Sequence, residues 1–229
     1  SDLAWGDCDG DGDPDLVVGS EGATVLYRND GGTLVATNTE LPGYSEDSSY
    51  EGSYDLRSIT WADFDNDGDL DLLVPSVFDF NTFTYSTKLL RNDGPNGSGG
   101  FLLTDVAAAL DPTSHAQSAW ADDDGDGDLD LFLVNVDPYT GLGFVKRYRN
   151  DAGVFTGRDL LGITVEHGLA DWGDYDGDGD MDILVAGNIQ ETDGTFVTVL
   201  RVYRNDAGTY TPITLPAPDP GVPGAWWLD

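Results

Sequence analysis

In the stretch Trp61-Ala-Asp-Phe-Asp-Asn-Asp-Gly-Asp-Leu-Asp-Leu-Leu-Val74, five aspartates alternate with other residues before an apolar run. Closely similar blocks begin at Trp5, Trp120 and Trp172, and each leads into an apolar run. The four tryptophans are 56, 59 and 52 residues apart, and Trp227 follows after a further 55 residues with only the first aspartate of the block. Repetition at this period indicates a chain built from copies of one supersecondary unit.

A second motif follows every block: Arg-Asn-Asp-Gly or Arg-Asn-Asp-Ala-Gly, starting at Arg28, Arg91, Arg149 and Arg204. These motifs are typical of hairpin turns, because Asn and Gly tolerate a positive φ. Each unit then reads as four strands: A carries the tryptophan, B is the apolar run, C ends in Arg-Asn-Asp, and D follows the turn. Strand B does not alternate, which predicts that both of its faces are covered. A helical pattern is confined to the neighbourhood of residues 106–110.

Four-stranded units of this kind predict an all-β fold, a β-propeller built of four-stranded antiparallel blades. We expect four full repeats plus the first strand of a fifth, forming one propeller segment over residues 1–229. The repeats fall at approximately 1–56, 57–115, 116–167 and 168–222, with a partial repeat at 223–229. The sequence opens and closes within a strand A, so we expect missing sequence or another chain to complete the propeller.

The charge and apolar content of the chain limit the classes of partner that we expect. The formal net charge is -33, which disfavours nucleic acid and anionic lipid as partners. No run of 18 apolar residues is present, so direct membrane insertion is not expected. Cys8 is the only cysteine, which excludes an internal disulfide, and it reads as a neutral filler in its loop rather than a reactive thiol. Twenty-one of the 43 acidic residues lie in the four blocks, where they repel each other unless protons or a cation intervene.

The spacing within each block points to a metal loop. Numbered from its first aspartate, each block has Asp at positions 1, 3, 5, 7 and 9 and Gly at position 6. Alternate side chains of a curled loop can converge on one centre, and the Gly permits the sharp turn. Oxygen-only ligands favour Ca²⁺ over Mg²⁺, and no His or Cys recurs there as zinc would require. A single run of this kind is also typical of a solvated acidic turn, but four in register favour metal.

We therefore expect four Ca²⁺ sites, each with side-chain ligands at positions 1, 3, 5 and 9 and a backbone carbonyl at position 7. Position 12 lies inside a strand, so the Glu that a helix-loop-helix site needs is missing. The expected side-chain ligands are Asp7, Asp9, Asp11, Asp15, Asp63, Asp65, Asp67, Asp71, Asp122, Asp124, Asp126, Asp130, Asp174, Asp176, Asp178 and Asp182. The expected carbonyl ligands are Asp13, Asp69, Asp128 and Asp180.

These blocks, together with the Arg-Asn-Asp-Gly turns, resemble the FG-GAP/VCBS repeat family over essentially the whole chain. The resemblance implies a β-propeller like the head of integrin α chains, with calcium in the A–B loops. It also implies a secreted or cell-surface protein, often bacterial when the loops are this regular. The literal Phe-Gly-Gly-Ala-Pro string is absent, so the match is closer to the VCBS branch.

Length variation predicts where a partner binds. The A–B loop never varies and the C–D turn varies by about one residue, whereas the B–C and D–A connections differ widely. In an antiparallel unit these connections lie at the edge opposite the A–B loop. We expect a protein or glycan ligand on this face, since rigid scaffolds carry function on such loops; the alternative is that the insertions drift and their aromatic residues pack on the blades. The aromatic residues are Tyr44, Tyr50, Tyr54, Phe78, Phe80, Phe83, Tyr85, Tyr139, Phe144 and Phe196.

Three functions fit the sequence. We favour an extracellular calcium-binding module for protein or carbohydrate binding or adhesion. The alternatives are an accessory or catalytic propeller domain of a secreted polysaccharide-degrading enzyme, and an architectural spacer of a surface protein. No nucleophile elbow, phosphate-binding Gly loop or His-Glu-x-x-His is present, so catalysis is not expected and no catalytic residue is assigned. His115 and His167, each five residues before a Trp, read as packing or capping residues.

Overall fold

The computed structural model describes residues 2–20, 23–42, 58–79, 81–113, 115–140, 143–159, 164–190 and 195–215. Within these ranges the chain forms 16 β-strands and no helix. The strands form four antiparallel four-stranded sheets, so the expected all-β fold of propeller blades is confirmed. The described residues also contain no apolar helix of membrane-spanning length.

Each sheet consists of four consecutive strands, in the order A, B, C, D. Sheet 1 contains β1 (Asp2–Gly6), β2 (Asp15–Ser20), β3 (Ala23–Asn29) and β4 (Leu34–Ala36). Sheet 2 contains β5 (Thr60–Ala62), β6 (Asp71–Asp79), β7 (Thr84–Pro95) and β8 (Phe101–Asp105). Sheet 3 contains β9 (His115–Ala121), β10 (Asp130–Val136), β11 (Gly143–Asp151) and β12 (Val154–Asp159). Sheet 4 contains β13 (Thr164–Gly173), β14 (Asp182–Gln190), β15 (Phe196–Asp206) and β16 (Thr209–Thr214).

Every sheet is an up-and-down meander, because each strand pairs only with its sequence neighbours. This order places the A–B loops and the C–D turns at one edge of the sheets. The B–C and D–A connections lie at the opposite edge, and the number of residues between the end of strand B and the start of strand C ranges from two in sheet 1 to six in sheet 3. The two edges are called the loop edge and the variable edge below.

The sheets pack face to face through three apolar cores, one at each junction between successive sheets. Strand B shows how one short run serves two junctions. In sheet 2, Leu72 and Val74 pack toward sheet 1, whereas Leu73, on the other face of the pleat, packs toward sheet 3. All three side chains are fully buried. The expectation that strand B is covered on both faces is therefore confirmed for the inner sheets, and it explains why β6 and β10 do not alternate.

The repeated tryptophan of strand A binds the preceding sheet. The indole N–H of Trp61 donates to the carbonyl of Ala4, and that of Trp172 donates to the carbonyl of Ala119, both at 3.4 Å. Trp120 donates instead to the Thr60 hydroxyl at 3.0 Å. Each acceptor belongs to the residue just before the tryptophan of the preceding unit, so one contact is repeated along the stack.

The two outer faces of the stack differ from the inner ones. Trp5 is 56% exposed, because no described sheet precedes sheet 1. Leu184, which corresponds to Leu73, is 40% exposed on sheet 4. The expected partial repeat at 223–229 lies outside the described residues. The expected helical stretch at 106–110 is wrong, because these residues form an irregular segment whose apolar side chains pack on the core between sheets 2 and 3.

Leu73→Ala tests the double-sided packing of strand B. It removes a fully buried side chain, so we expect the free energy of unfolding to fall by about 2–5 kcal/mol. The matched control is Leu184→Ala, at the same strand position in sheet 4 but 40% exposed, with an expected loss below about 1 kcal/mol. Urea unfolding in calcium-containing buffer measures both. Equal losses would contradict the role of β6 in two junctions.

Candidate metal centres in the A–B loops

Each A–B loop is a closed hairpin whose base is fixed by strand pairing. The residue before position 1 pairs with position 9, as in Gly6 with Asp15 and Ala62 with Asp71. Loops 1 to 4 are defined here as residues 7–15, 63–71, 122–130 and 174–182. Because both ends of the hairpin are held in register, the hydrogen bonds from position 1 to the loop backbone recur in every loop.

The position 9 aspartate is the most buried residue of each loop. Asp15, Asp71, Asp130 and Asp182 have exposed fractions of 0–1%. In every loop Oδ1 accepts the backbone N–H of the strand C asparagine, at 2.7–2.8 Å. Oδ2 accepts the N–H of position 2, at 2.7–3.1 Å in loops 1, 2 and 4 and at 3.4 Å in loop 3. This carboxylate therefore joins the start of the loop to the C–D turn.

The position 1 aspartate organises the backbone of the loop. In loop 2, Asp63 Oδ1 accepts the N–H of Asp67 at 3.1 Å, and its Oδ2 accepts the N–H of Gly68 at 3.0 Å. The same pair of hydrogen bonds recurs in the other loops. Gly at position 6 has a φ of 95–98° in all four loops, which side chains rarely adopt, so the sequence expectation of a glycine-dependent turn is confirmed.

The position 7 aspartate points its side chain at the neighbouring C–D turn. Asp13 Oδ2 accepts the N–H of Gly31, and Asp128 and Asp180 accept those of Ala152 and Ala207, at 2.7–3.0 Å. These contacts engage the position 7 carboxylate with the C–D turn in loops 1, 3 and 4. They also show that the A–B loop and the C–D turn of one sheet form a single unit at the loop edge.

Carboxylate oxygens converge in every loop. Oxygens of positions 1, 3 and 9 lie within 4.8 Å of one another in loops 1, 2 and 4. The pKa of the position 3 carboxyl is raised in all four loops, by burial first and then by repulsion from neighbouring aspartates. Burial also raises the pKa of Asp71 to about 7. Carboxylates crowded in this way are stabilised by a cation among them.

The donor set fits a hard cation. Every clustered side chain offers oxygen, which suits Ca²⁺. In loop 2, Asp65 Oδ1 is buried and has no hydrogen-bond partner among the described residues. An unpaired buried carboxylate oxygen that faces two other carboxylates is the atom that a bound cation satisfies. The four loops thus have the residues needed to hold a calcium ion.

Comparison with known proteins agrees with this geometry. The FG-GAP-like repeat family matches residues 7–74 and 122–185, more than half of the chain. The chain belongs to this family. Each matched range begins at position 1 of one loop and ends in the strand B that follows the next loop. The expected family is therefore confirmed. No curated protein matches the chain.

The FG-GAP-like chain is also similar to a solved structure, that of an Agrocybe aegerita lectin studied for its specific recognition of non-reducing terminal N-acetylglucosamine. The TM-score is 0.50 and the sequence identity 17%, over 93% of this chain and 52% of the lectin chain. The chain thus spans about half the length of the lectin. At this identity the likeness concerns the fold alone.

The carboxylates of loop 3 are arranged differently from those in the A–B loops of the other three FG-GAP-like repeats. Its oxygens form two groups: Asp122 with Asp124 and Asp126, and Asp130 with Asp123 and Asp124. The guanidinium group of Arg147 contacts Asp123 and lies 2.9 Å from Asp130 Oδ2. Sequence reasoning missed Arg147, although an alignment of the repeats shows the signal, since the equivalent residues are Leu26, Leu89 and Val202.

Sequence reasoning also missed the role of the repeated asparagine, which it read only as a turn residue. The side-chain amide of Asn92 donates to the carbonyl of Cys8, and that of Asn150 donates to the carbonyl of Phe64, at 2.8 and 2.7 Å. Each bond joins strand C of one FG-GAP-like repeat to the A–B loop of the preceding one. The recurrence of Asn in all four motifs was the available signal.

The variable edge brings several of the expected aromatic residues together. The rings of Phe78 and Tyr85 have centroids 4.8 Å apart, and Phe83 meets Phe78 edge-on at 6.2 Å. The backbone N–H of Tyr85 donates to the Tyr139 hydroxyl at 3.1 Å, so the B–C loops of sheets 2 and 3 meet. Phe83 and Tyr139 are 74% and 60% exposed. Phe144, on strand β11, is half-buried.

Other expectations fall outside what the structure describes. Tyr44, Tyr50, Tyr54 and Phe80 lie outside the described residues, as do the side chains of His115, His167 and Phe196. Cys8 is described: its thiol is buried and donates to Asp15 Oδ2 at 3.0 Å. Burial and the neighbouring carboxylate raise the pKa of this thiol, as suits a filler in the core.

Gly179→Ala tests the strained turn of loop 4. Gly179 has a φ of 98° and no atom within 4 Å of an added Cβ, so any cost comes from the backbone alone. We expect stability to fall by about 1–3 kcal/mol. Gly173→Ala, just before the same loop, also meets nothing within 4 Å and has an ordinary φ, so it should change stability little. Thermal unfolding of the two variants in calcium-containing buffer measures both effects. An unchanged melting temperature of Gly179→Ala would contradict the assignment of a strained turn at this glycine.

Proposed function

We propose that each of the four A–B loops holds one structural Ca²⁺, and that the chain is an extracellular propeller module that binds a glycan or protein at its variable edge. The observation that carries the calcium proposal is the convergence of carboxylate oxygens within 4.8 Å in every loop. In each loop, the side chains of positions 1, 3, 5 and 9 and the carbonyl of position 7 are the proposed ligands. Membership of the FG-GAP-like family supports this proposal, because such repeats often bind calcium.

A structural role for the ions follows from where the loops lie. Position 9 contacts the C–D turn of its own sheet, and in loops 1 and 2 the position 2 carbonyl accepts a hydrogen bond from the next sheet. A Ca²⁺ bound to the carboxylates therefore stabilises the junctions between sheets as well as the hairpin. Extracellular calcium modules often bind in the range of about 10⁻⁴–10⁻³ M, which suits calcium-rich surroundings outside cells.

We further propose that residues 1–229 belong to one propeller, with repeats at approximately 1–56, 57–115, 116–167 and 168–222 and a fifth starting at 223–229. The exposed Trp5 and Leu184 support completion by further sequence or by another chain, since their counterparts pack against neighbouring sheets. The similarity of the chain to about half of the larger lectin chain agrees with this proposal.

The aromatic patch formed by Phe78, Phe83, Tyr85 and Tyr139 is the proposed ligand site. Phe83 has a φ of 55°, an unusual value for a bulky residue, and its ring is 74% exposed. Backbone strain that holds an aromatic ring in solvent is typical of binding sites. Exposed aromatic faces suit the apolar faces of sugar rings, and the similarity to an N-acetylglucosamine-recognising lectin supports a glycan as the first ligand to test. We propose binding without catalysis, because the clustered carboxylates are assigned to the cation.

Chelation tests the calcium proposal. Four ions bound only to the folded state stabilise it by mass action, so we expect EDTA to lower the melting temperature by at least about 10 °C. Excess Mg²⁺ should not restore it, because Mg²⁺ demands near-ideal octahedral geometry and loses its bound water reluctantly. An unchanged melting temperature in EDTA would contradict the proposal that the loops hold structural Ca²⁺.

The isosteric variant Asp65→Asn is the internal control for this experiment. It removes one charge at a position where burial and neighbouring aspartates already oppose the charged form. In EDTA the variant should therefore equal or exceed the parent in stability, whereas in calcium it should be less stable. A loss of the same size in both buffers would show that Asp65 acts through the protein alone.

Glycan-array binding tests the aromatic patch. Phe83→Asn removes the exposed ring and keeps a residue that tolerates the positive φ, and Tyr139→Ser removes the second exposed ring. We expect each variant to weaken binding of any glycan found for the parent by at least about tenfold, without lowering the melting temperature. Val154→Ser, 66% exposed and next to the C–D turn of sheet 3, is the matched control at the loop edge. Undiminished binding by both patch variants would place the site elsewhere.

A further inference from the structure

The junction between sheets 3 and 4 replaces an apolar contact by charges. At the first junction, position 2 of the loop and the facing strand C residue are Cys8 and Leu26, both in the apolar core. At the second junction, the equivalent pair is Phe64 and Leu89, again in the core. At the third junction the pair is Asp123 and Arg147, with side chains only 1% and 14% exposed.

Arg147 reaches into loop 3 itself. Its terminal nitrogen Nη2 contacts Asp123 and lies 2.9 Å from Oδ2 of Asp130 and 3.4 Å from Oδ2 of Asp124. Asp130 and Asp124 occupy positions 9 and 3, two of the proposed ligand positions. In no other loop that the structure describes does a strand C residue at this place carry a charge, since the counterparts are Leu26, Leu89 and Val202.

The geometry of loop 3 changes in the direction expected from this contact. Its position 9 carboxylate groups with Asp123 and Asp124, whereas in the other loops it groups with positions 1 and 3. The hydrogen bond from the position 2 N–H to Asp130 Oδ2 is 3.4 Å, longer than its 2.7–3.1 Å counterparts. A guanidinium group therefore holds the carboxylate that the other loops leave to the cation.

We infer that Arg147 is a tethered cation that competes with Ca²⁺ in loop 3, so that this loop binds the ion more weakly than the other three. The inference rests on the calcium proposal above. Arg147 places a fixed positive charge against two of the carboxylates, and it both repels the ion and occupies their oxygens. Loops 1, 2 and 4 have no such group at that strand position and remain strong sites.

The pair Asp123 and Arg147 also couples calcium binding in loop 3 to the contact between sheets 3 and 4. The hydroxyl of Tyr210, on strand β16 of sheet 4, donates to Asp123 Oδ2 at 2.9 Å. Asp123 thus joins Arg147 of sheet 3 to a strand of sheet 4. When calcium displaces the guanidinium group from Asp130, this buried network rearranges, so the junction between sheets 3 and 4 responds to calcium concentrations at which the other junctions are already saturated.

Native mass spectrometry tests this inference by counting the Ca²⁺ ions bound per chain as the free Ca²⁺ concentration rises. Calorimetry gives the dissociation constant of each binding step. The unaltered chain should take up three ions in one range and a fourth only at free Ca²⁺ at least about tenfold higher. Asp122→Asn, in loop 3, should remove the weak step alone, whereas Asp63→Asn, at the same position of loop 2, should remove one of the strong steps. Four equivalent steps, or loss of a strong step in Asp122→Asn, would overturn the inference.

The exchange Asp123→Phe/Arg147→Leu installs the residues that sheet 2 carries at these positions and leaves the net charge unchanged. It should shift the weak step at least about tenfold lower in free Ca²⁺. The control Lys88→Leu/Asp105→Phe removes a partly exposed ion pair of sheet 2 outside the loops and should leave all steps in place. A weak step that persists in the exchanged variant would overturn the inference and leave the calcium proposal intact, whereas uptake of no ion by the unaltered chain would overturn both.

Discussion

The buried aspartate at the start of each strand B is the constraint on which the rest of the structure depends. Its two oxygens accept backbone N–H groups from the loop and from strand C, so one side chain closes the A–B hairpin and aligns the C–D turn. Asp71 and its equivalents are 0–1% exposed. A carboxylate in such a place is costly unless hydrogen bonds and a cation compensate for its lost hydration, which links the stability of every sheet to the composition of its loop.

The first two junctions between sheets repeat the same contacts, whereas the third carries the pair Asp123 and Arg147 in place of an apolar one. A tryptophan indole, an asparagine amide and the two faces of strand B each contact a neighbouring sheet at the same register, as Trp61, Asn92 and Leu72 do across the first junction. Because these contacts join only neighbours, the fold is modular, and its stability is close to a sum of repeat and junction terms. Exposed counterparts, such as Trp5 and Leu184, occur on the outer sheets, where a described neighbour is lacking.

The loop edge and the variable edge differ in how strongly the structure constrains their residues. The hairpins at the loop edge leave little room for variation in length, because positions 1, 5, 6 and 9 all take part in hydrogen bonds with the backbone. The variable edge carries no such constraint, and there Phe83 and Tyr139 extend into solvent from B–C loops of different length. A scaffold fixed at one edge and free at the other is the arrangement expected of a binding module.

The local sequence predicts the four-stranded units, the position of every A–B loop and the double-sided burial of strand B in the inner sheets, because aspartate spacing, turn residues and pleat alternation are local properties. It also predicts the sharp turn at the position 6 glycines, whose φ is positive in all four loops. Only the tertiary structure decided which distant groups meet: Asn92 with the Cys8 carbonyl, the Tyr139 hydroxyl with the Tyr85 N–H, and Asp123 with Arg147 and Tyr210. These contacts join residues 24 to 87 positions apart, and their partners depend on how the strands and the twisted sheets pack. A hairpin is specified by the few residues that form its turn and its loop, so it can be predicted locally. The charges that surround loop 3 include Arg147, which is brought there only by the packing of strand C.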